Sequence, residues 1–145
     1  MALVNQAFPY SPDKLIVLVN TVPLIGYSDD NAVEINPVED DTSDKTGLDG
    51  MVAVSQSSVN LVEVVVRLLQ VSSSNDYLSG LREAGRIAGR PIIALTVQNL
   101  LQRDLLVSSQ AWITKRPAIT HGREAGDREW TFRALPSVWI AGGSF

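Results

Sequence analysis

The chain has 145 residues, 45% of them hydrophobic, with no cysteine, one histidine and a net charge of −4. That is enough apolar material for one domain with a real core, and it excludes disulfides, thiolate metal sites and a cysteine nucleophile. No apolar run approaches the ~18 residues of a membrane span, and the opening MALVNQAFPYSPDK lacks the basic and apolar regions of a secretory signal.

Lys14 to Ile25, KLIVLVNTVPLI, is rich in Val, Leu and Ile and predicts a strand, with Pro23 at an edge or strand end. Residues 26–31 carry turn chemistry. Ala32 to Val38 alternates Val33 and Ile35 with Glu34 and Asn36, a short half-buried strand. Glu39 to Gly50, EDDTSDKTGLDG, is too polar to bury and predicts an extended acidic loop. Met51 to Ser55 alternates again, and Ser57-Ser58 is a turn.

Val59 to Leu69 is the strongest strand. Alternation assigns Val62, Val64, Val66 and Leu68 to the core, with Glu63, Val65 and Arg67 on the outer face. Asn75 to Ala88 predicts a helix with Ser74 as N-cap and Asp76 in its first turn. Leu78, Leu81, Ala84, Gly85 and Ala88 form its apolar face. Gly89 suits the position just past its end, and Pro91 forbids continuation.

Strands follow at Pro91 to Val97 and Leu105 to Lys115, with a turn over Asn99 to Asp104. Pro117 to Gly126 is a loop holding His121. Asp127 to Leu135 alternates Arg128, Trp130, Phe132 and Ala134 with polar residues, and continues toward Ile140 after Pro136. Gly142 to Phe145 is a loose end. Seven or eight strands around one mid-chain helix predict a single mostly-β domain over 1–145, an antiparallel sandwich or small barrel with one flanking α-helix.

Charge is unevenly placed. Eight acids and one lysine lie between Asp29 and Asp49, a net −7, while Gly50 to Phe145 carries +3. An acidic section and a basic section in one small chain invite pairing between copies, although a solvated acidic loop has the same appearance. The basic residues, Arg82, Arg86 and Arg90, then Lys115 and Arg116, are too loosely spread for tight DNA binding.

No catalytic set emerges. His121 has no nucleophile placed by spacing, and an exposed loop histidine accounts for it. Asp40, Asp41, Asp44 and Asp49 invite a calcium reading, but counting from Asp40 puts Lys45 where an EF-hand needs glycine and Met51 where it needs glutamate. The glycines form no phosphate loop. Trp112, Trp130 and Trp139 could stack on a sugar or base, but each sits in a strand pattern that suits core or interface packing. No cofactor is implied.

The order of segments resembles a known family. Glu39-Asp40, a short loop closed by Asp49-Gly50, the Val66-Arg67-Leu68-Leu69 strand, the helix led by Ser73-Ser74-Asn75 and the late Glu129-Trp130-Thr131-Phe132 strand follow the pattern of inner tail tube proteins of contractile-tailed phages. The likeness spans about Gly26 to Ala134. It implies a virion tail protein, assembled in the host cytoplasm from six-copy rings stacked into a hollow tube. Sheath, baseplate and tape-measure proteins would be its partners, and DNA would pass without specific binding.

Edges that are hazards in a monomer would be completed by neighbours. The family's long loop reaches another subunit, which by position implies contacts through Glu39, Asp40, Asp41, Asp44, Lys45 and Asp49. Arg82, Arg86, Arg90 or Lys115 of another copy would receive them. An acidic bore implies Glu34 and Glu63 as lumen-facing residues. A baseplate or tube-initiator protein, a secretion-system tube, a carbohydrate-binding sandwich and an enzyme built on His121 stand as alternatives.

Overall fold

The computed structural model describes residues 15–29, 31–99 and 103–143. The opening segment, Lys14, Asp30, the middle of the turn expected over Asn99 to Asp104 and the last two residues of the loose end lie outside the described residues.

The chain runs β1 (Leu15–Val19), β2 (Val22–Pro23), β3 (Val33–Pro37), β4 (Thr42–Thr46), β5 (Val52–Gln56), β6 (Val62–Leu69), α1 (Ser74–Ala88), β7 (Ile93–Asn99), β8 (Leu105–Lys115), β9 (Asp127–Leu135) and β10 (Val138–Ile140). The main sheet is antiparallel in the order β2-β1-β7-β8-β9-β6-β3, with β10 on β8, and β4 and β5 form a separate ribbon. The expected mostly-β class with one flanking helix is the observed one.

Period-two alternation places the core. Val62, Val64, Val66 and Leu68 of β6 lie opposite Ala134, Phe132, Trp130 and Arg128 of β9. The four β6 residues, Phe132 and Ala134 are fully buried. Ile93, Leu95 and Val97 of β7 face the same interior, with Val17 and Val19 of β1 and Leu106 of β8. Val65, assigned outward by alternation, is also buried. The sheet curls so that β1 and β3 face one another across a cavity of about 260 Å³, lined by Leu15 of β1 and by Val33 and Ile35 of β3. Tyr27 ties this closure: it bridges Leu68, and its hydroxyl accepts the Val17 amide at 3.1 Å.

β8 serves two neighbours along one side. Its first half pairs with β10 and its second half with β9. Ser108 sits at the change-over, buried, its hydroxyl donating to the Leu135 carbonyl at 2.7 Å. After Pro136 the chain keeps the same direction and register along β8, with Val138 opposite Val107 as Leu135 lies opposite Gln110, so β10 continues β9 as the sequence predicts.

Two expectations are corrected. Lys14 to Ile25 is not one strand: Asn20 and Thr21 adopt φ of 50° and 68° and reverse the chain between β1 and β2. Two successive positive φ values are the signature of a tight hairpin turn, and the Asn20 amide oxygen accepts the Ala94 amide. Glu39 to Gly50 is not a loop throughout, since Thr42–Thr46 is a strand.

The helix start also differs from its prediction. Ser74 lies inside α1, and Ser73 precedes it without a side-chain cap. Instead the Ser74 hydroxyl accepts the Ile25 amide at 2.9 Å, and the Ser72 hydroxyl donates to the Ile25 carbonyl. This clamp brings Gly26 against Ser72, where a Cβ would stand 2.7 Å from the serine Cβ. Leu78 is buried and Leu81 packs against the core, while Ala84 and Ala88 are exposed, so the helix buries its first half. Gly89 ends it in the left-handed region at φ 68°.

Candidate functional site

Two features stand apart from the core. The first is an arm. The Val38 amide donates to the Leu61 carbonyl and the Ser57 amide to the Asp41 carbonyl, so the ribbon β4–β5 continues the β3–β6 hairpin beyond the sheet. Its tip, residues 47–51, is closed by the Gly47 amide on the Met51 carbonyl at 2.7 Å, with Gly50 at φ 86°. At about 3.3 Å per residue the ribbon reaches roughly 30 Å. Every residue from Glu39 to Asn60 is exposed.

The expected acids Glu39, Asp40, Asp41, Asp44 and Asp49, with Lys45, all lie on this arm. Glu39 to Ser57 carries a net −4, and none of its charges joins an ion pair among the described residues. Register gives the ribbon two unlike faces. Asp44 lies opposite Val54 and Thr46 opposite Val52, while Lys45 lies opposite Ala53 and Ser43 opposite Ser55. The first face carries the carboxylate and two exposed valines, and Met51 stands uncovered at the tip.

The second feature is a cleft of about 570 Å³ between the first half of α1 and the segment after β8. Arg82, Arg116 and Arg128 line it, with Val71 and Ile119. Arg82 reaches Glu83 at 2.7 Å, and Arg128 donates to the Ala118 carbonyl at 3.0 Å, shaping the wall. Trp130 forms the floor: it is 2% exposed, and its indole N–H donates to Asn75 Oδ1 at 3.0 Å.

Of the four expected basic residues, Arg82 alone lines this cleft. Arg86 lies further along the helix, 3.8 Å from Glu83, and Arg90 lies beyond the helix end. Lys115 closes β8 next to Arg116. Sequence reasoning did not assemble Arg116, Arg128, Val71 and Ile119. One signal was legible: Arg128 is the charged member of the otherwise inward-facing series of β9.

Glu34 and Glu63 share the outer face of β3, β6 and β9, where each meets an arginine. Arg67 lies 3.5 Å from Glu34 and 3.3 Å from Glu129, and Arg133 lies 4.0 Å from Glu63. The face is a ladder of ion pairs rather than bare acid. His121 is exposed, with Nδ1 3.2 Å from the Gln70 amide nitrogen. The Trp130 ring is unavailable for stacking, Trp112 is half-buried, and Trp139 borders the cavity between β1 and β3.

The fold, a curled antiparallel sheet with one helix, is shared with solved chains of contractile injection systems. The chain is similar to a component of the sheath/tube terminator of the extracellular contractile injection system PVC in its extended state. The TM-score is 0.64 at 15% identity, over 88% of this chain and 94% of that one. It is also similar to the tube-terminating cap of the anti-feeding prophage, with a TM-score of 0.62 at 13% identity over 92% and 91%. A chain of the PVC sheath–tube complex gives 0.54 at 15% identity over 90% and 89%.

Sequence comparison is more specific. The family of the bacteriophage PhiTE tail tube protein matches residues 25–137, and the chain belongs to that family. It is also 22% identical, over 98% of its length and 87% of the relative's, to structural protein ORF10 of Pseudomonas phage KPP10. The family is a structural one, so this is a phage tail structural protein and not an enzyme.

Proposed function

We propose that this chain is the repeating subunit of a phage tail tube. Six copies close a ring, rings stack into a hollow tube, and DNA passes through it at ejection. The arm carries this reading. A two-stranded ribbon alone in water is marginal, yet here β4 and β5 have each other as their main neighbours. They expose valines and unpaired acids, and packing on a neighbouring copy supplies the missing surface. The exposed edges of β2 and β3 are likewise completed by neighbours in the ring.

The acidic arm meets basic groups of another copy, drawn from Arg82, Arg86, Arg90 and Lys115. The ladder face bearing Glu34 and Glu63 lines the bore, where interspersed acids deny phosphates a continuous basic track. Sheath, baseplate and tape-measure proteins contact the finished tube, which is built in the host cytoplasm.

Replacing residues 39–60 by Asn-Gly, a sequence suited to a two-residue hairpin turn, tests the reading. The subunit stays folded, with its melting temperature within about 4 °C of the parent, because the excised segment buries no core residue. Rings and tubes disappear from electron micrographs. Undiminished tube growth by the armless chain would overturn the reading.

A terminal ring at the end of a tube is the second reading, favoured by the higher structural similarity to the two terminators than to the sheath–tube complex. Discrete rings that never elongate would select it over the tube body.

A further inference from the structure

We propose that the cleft between α1 and the segment after β8 is the socket for the β4–β5 arm of a second copy of this chain. The assignment rests on the tail-tube reading and specifies which surface the arm grips. Three observations converge on it.

The first is position. The arm leaves the sheet at the Pro37–Val62 end of the β3–β6 pair, whereas Gln70 and Val71 of the cleft follow the other end of β6. Eight strand residues, roughly 25 Å, separate the two along one strand, and the arm points away. A chain cannot fill its own cleft. A contact joining one end of a molecule to the opposite end of its twin is heterologous, and repeated without closure it builds a filament.

The second is charge. Asp76 and Glu83 share the cleft with Arg82, Arg116 and Arg128, and Arg82 is bound to Glu83, so the lining carries a net +1; Arg116 is exposed and joins no ion pair among the described residues. The arm brings Asp44, equally unpaired. The third is apolar surface. Val71 and Ile119 on the cleft are 80% and 77% exposed, and Val54 on the arm is 68% exposed. Asp44 and Val54 face the same way on the ribbon, so one face offers a carboxylate and a valine together, as the cleft offers an arginine and an isoleucine. The opposite face, with Lys45 and Ala53, brings no carboxylate to Arg116 and no large apolar side chain to Ile119.

Because the chain lacks cysteine, introduced thiols report this contact cleanly. Under mild oxidation of the assembled full chain, the double variant V54C/I119C forms a covalent ladder of multimers. The single variants V54C and I119C form none. The variant A53C/I119C, on the wrong ribbon face, yields at most about a tenth of the ladder, since its thiol points away from the partner. Charge exchange is the second measurement. D44R and R116E each raise the subunit concentration needed for assembly about tenfold, and the pair together restores it.

Tubes or rings from the parent chain, with no ladder and no restoration, would overturn the socket and leave the tail-tube reading standing. No assemblies from the parent chain would overturn both.

Discussion

Asn75 joins three parts of the fold, and its truncation gives a measurable cost. Its Oδ1 accepts the buried Trp130 indole N–H at 3.0 Å, and its Nδ2 donates to the Leu69 and Gln70 carbonyls at 3.0 and 3.4 Å. The side chain thus holds the first turn of α1 to β9 and to the end of β6. In Asn75→Ala the indole donor, on a residue 2% exposed, loses its partner. A buried donor left unpaired costs about 1–3 kcal/mol, and each lost hydrogen bond about 1 more.

Alanine recovers roughly half a kcal/mol of helix propensity, too little to offset this. The net loss is about 2.5–4.5 kcal/mol, and at about 2–4 °C per kcal/mol for a chain near this size the melting temperature falls by about 5–18 °C. Trp130→Phe removes the donor itself. The double variant therefore loses less than the sum of the singles, by about 1 kcal/mol. Urea titration of the four proteins, made under conditions that keep the subunit monomeric, measures this. Additive losses, or an Asn75→Ala cost under about 0.5 kcal/mol, would refute the clamp.

Three further outcomes follow from the same structure. Gly89→Ala destabilises by about 1 kcal/mol because φ is 68°, whereas Gly80→Ala, with open space around the added methyl, stabilises by about 0.5–1 kcal/mol; urea midpoints distinguish them. Burial raises the Tyr27 phenol above its ordinary 10.0, against the lowering effect of the Val17 amide. A group raised in the folded state contributes stability that is complete below its unfolded value and lost as pH climbs through the folded one. Stability therefore declines above pH ~10, and Tyr27→Phe flattens that decline in urea titrations across the range. Raising salt from about 0.1 to about 1 M shortens the screening length from about 10 to about 3 Å. The subunit concentration needed for assembly, followed by light scattering, then rises several-fold, and assembly strengthened by salt would count against charge-guided docking.

The sequence made the alternating strands legible because each has one face in the core: β6, β7 and β9 all show Val, Leu or aromatic residues at every second position. The helix was legible through Leu78, Leu81 and the Gly89 stop. The Asn20-Thr21 reversal was not, since neither residue is glycine and the apolar run continues through Val22. β4 was hidden for a different reason. Thr42 to Thr46 has no buried face in its own chain, so no periodicity marks it, although its partner β5 lies just across the tip.

The acids of the candidate site were visible as composition. The cleft was not, because Val71, Arg82, Arg116, Ile119 and Arg128 meet through the register of β6, β8 and β9. Family likeness supplied what local pattern could not, through the order of segments from Glu39 to Phe132.

Electron microscopy of the purified full chain, concentrated in low-salt buffer, asks the central question most directly. Sixfold rings stacked into hollow tubes are the expected particles. A population that sediments as monomers at every concentration, with no annular or tubular particles, would contradict the claim that the folded chain is an unfinished piece of a larger wall.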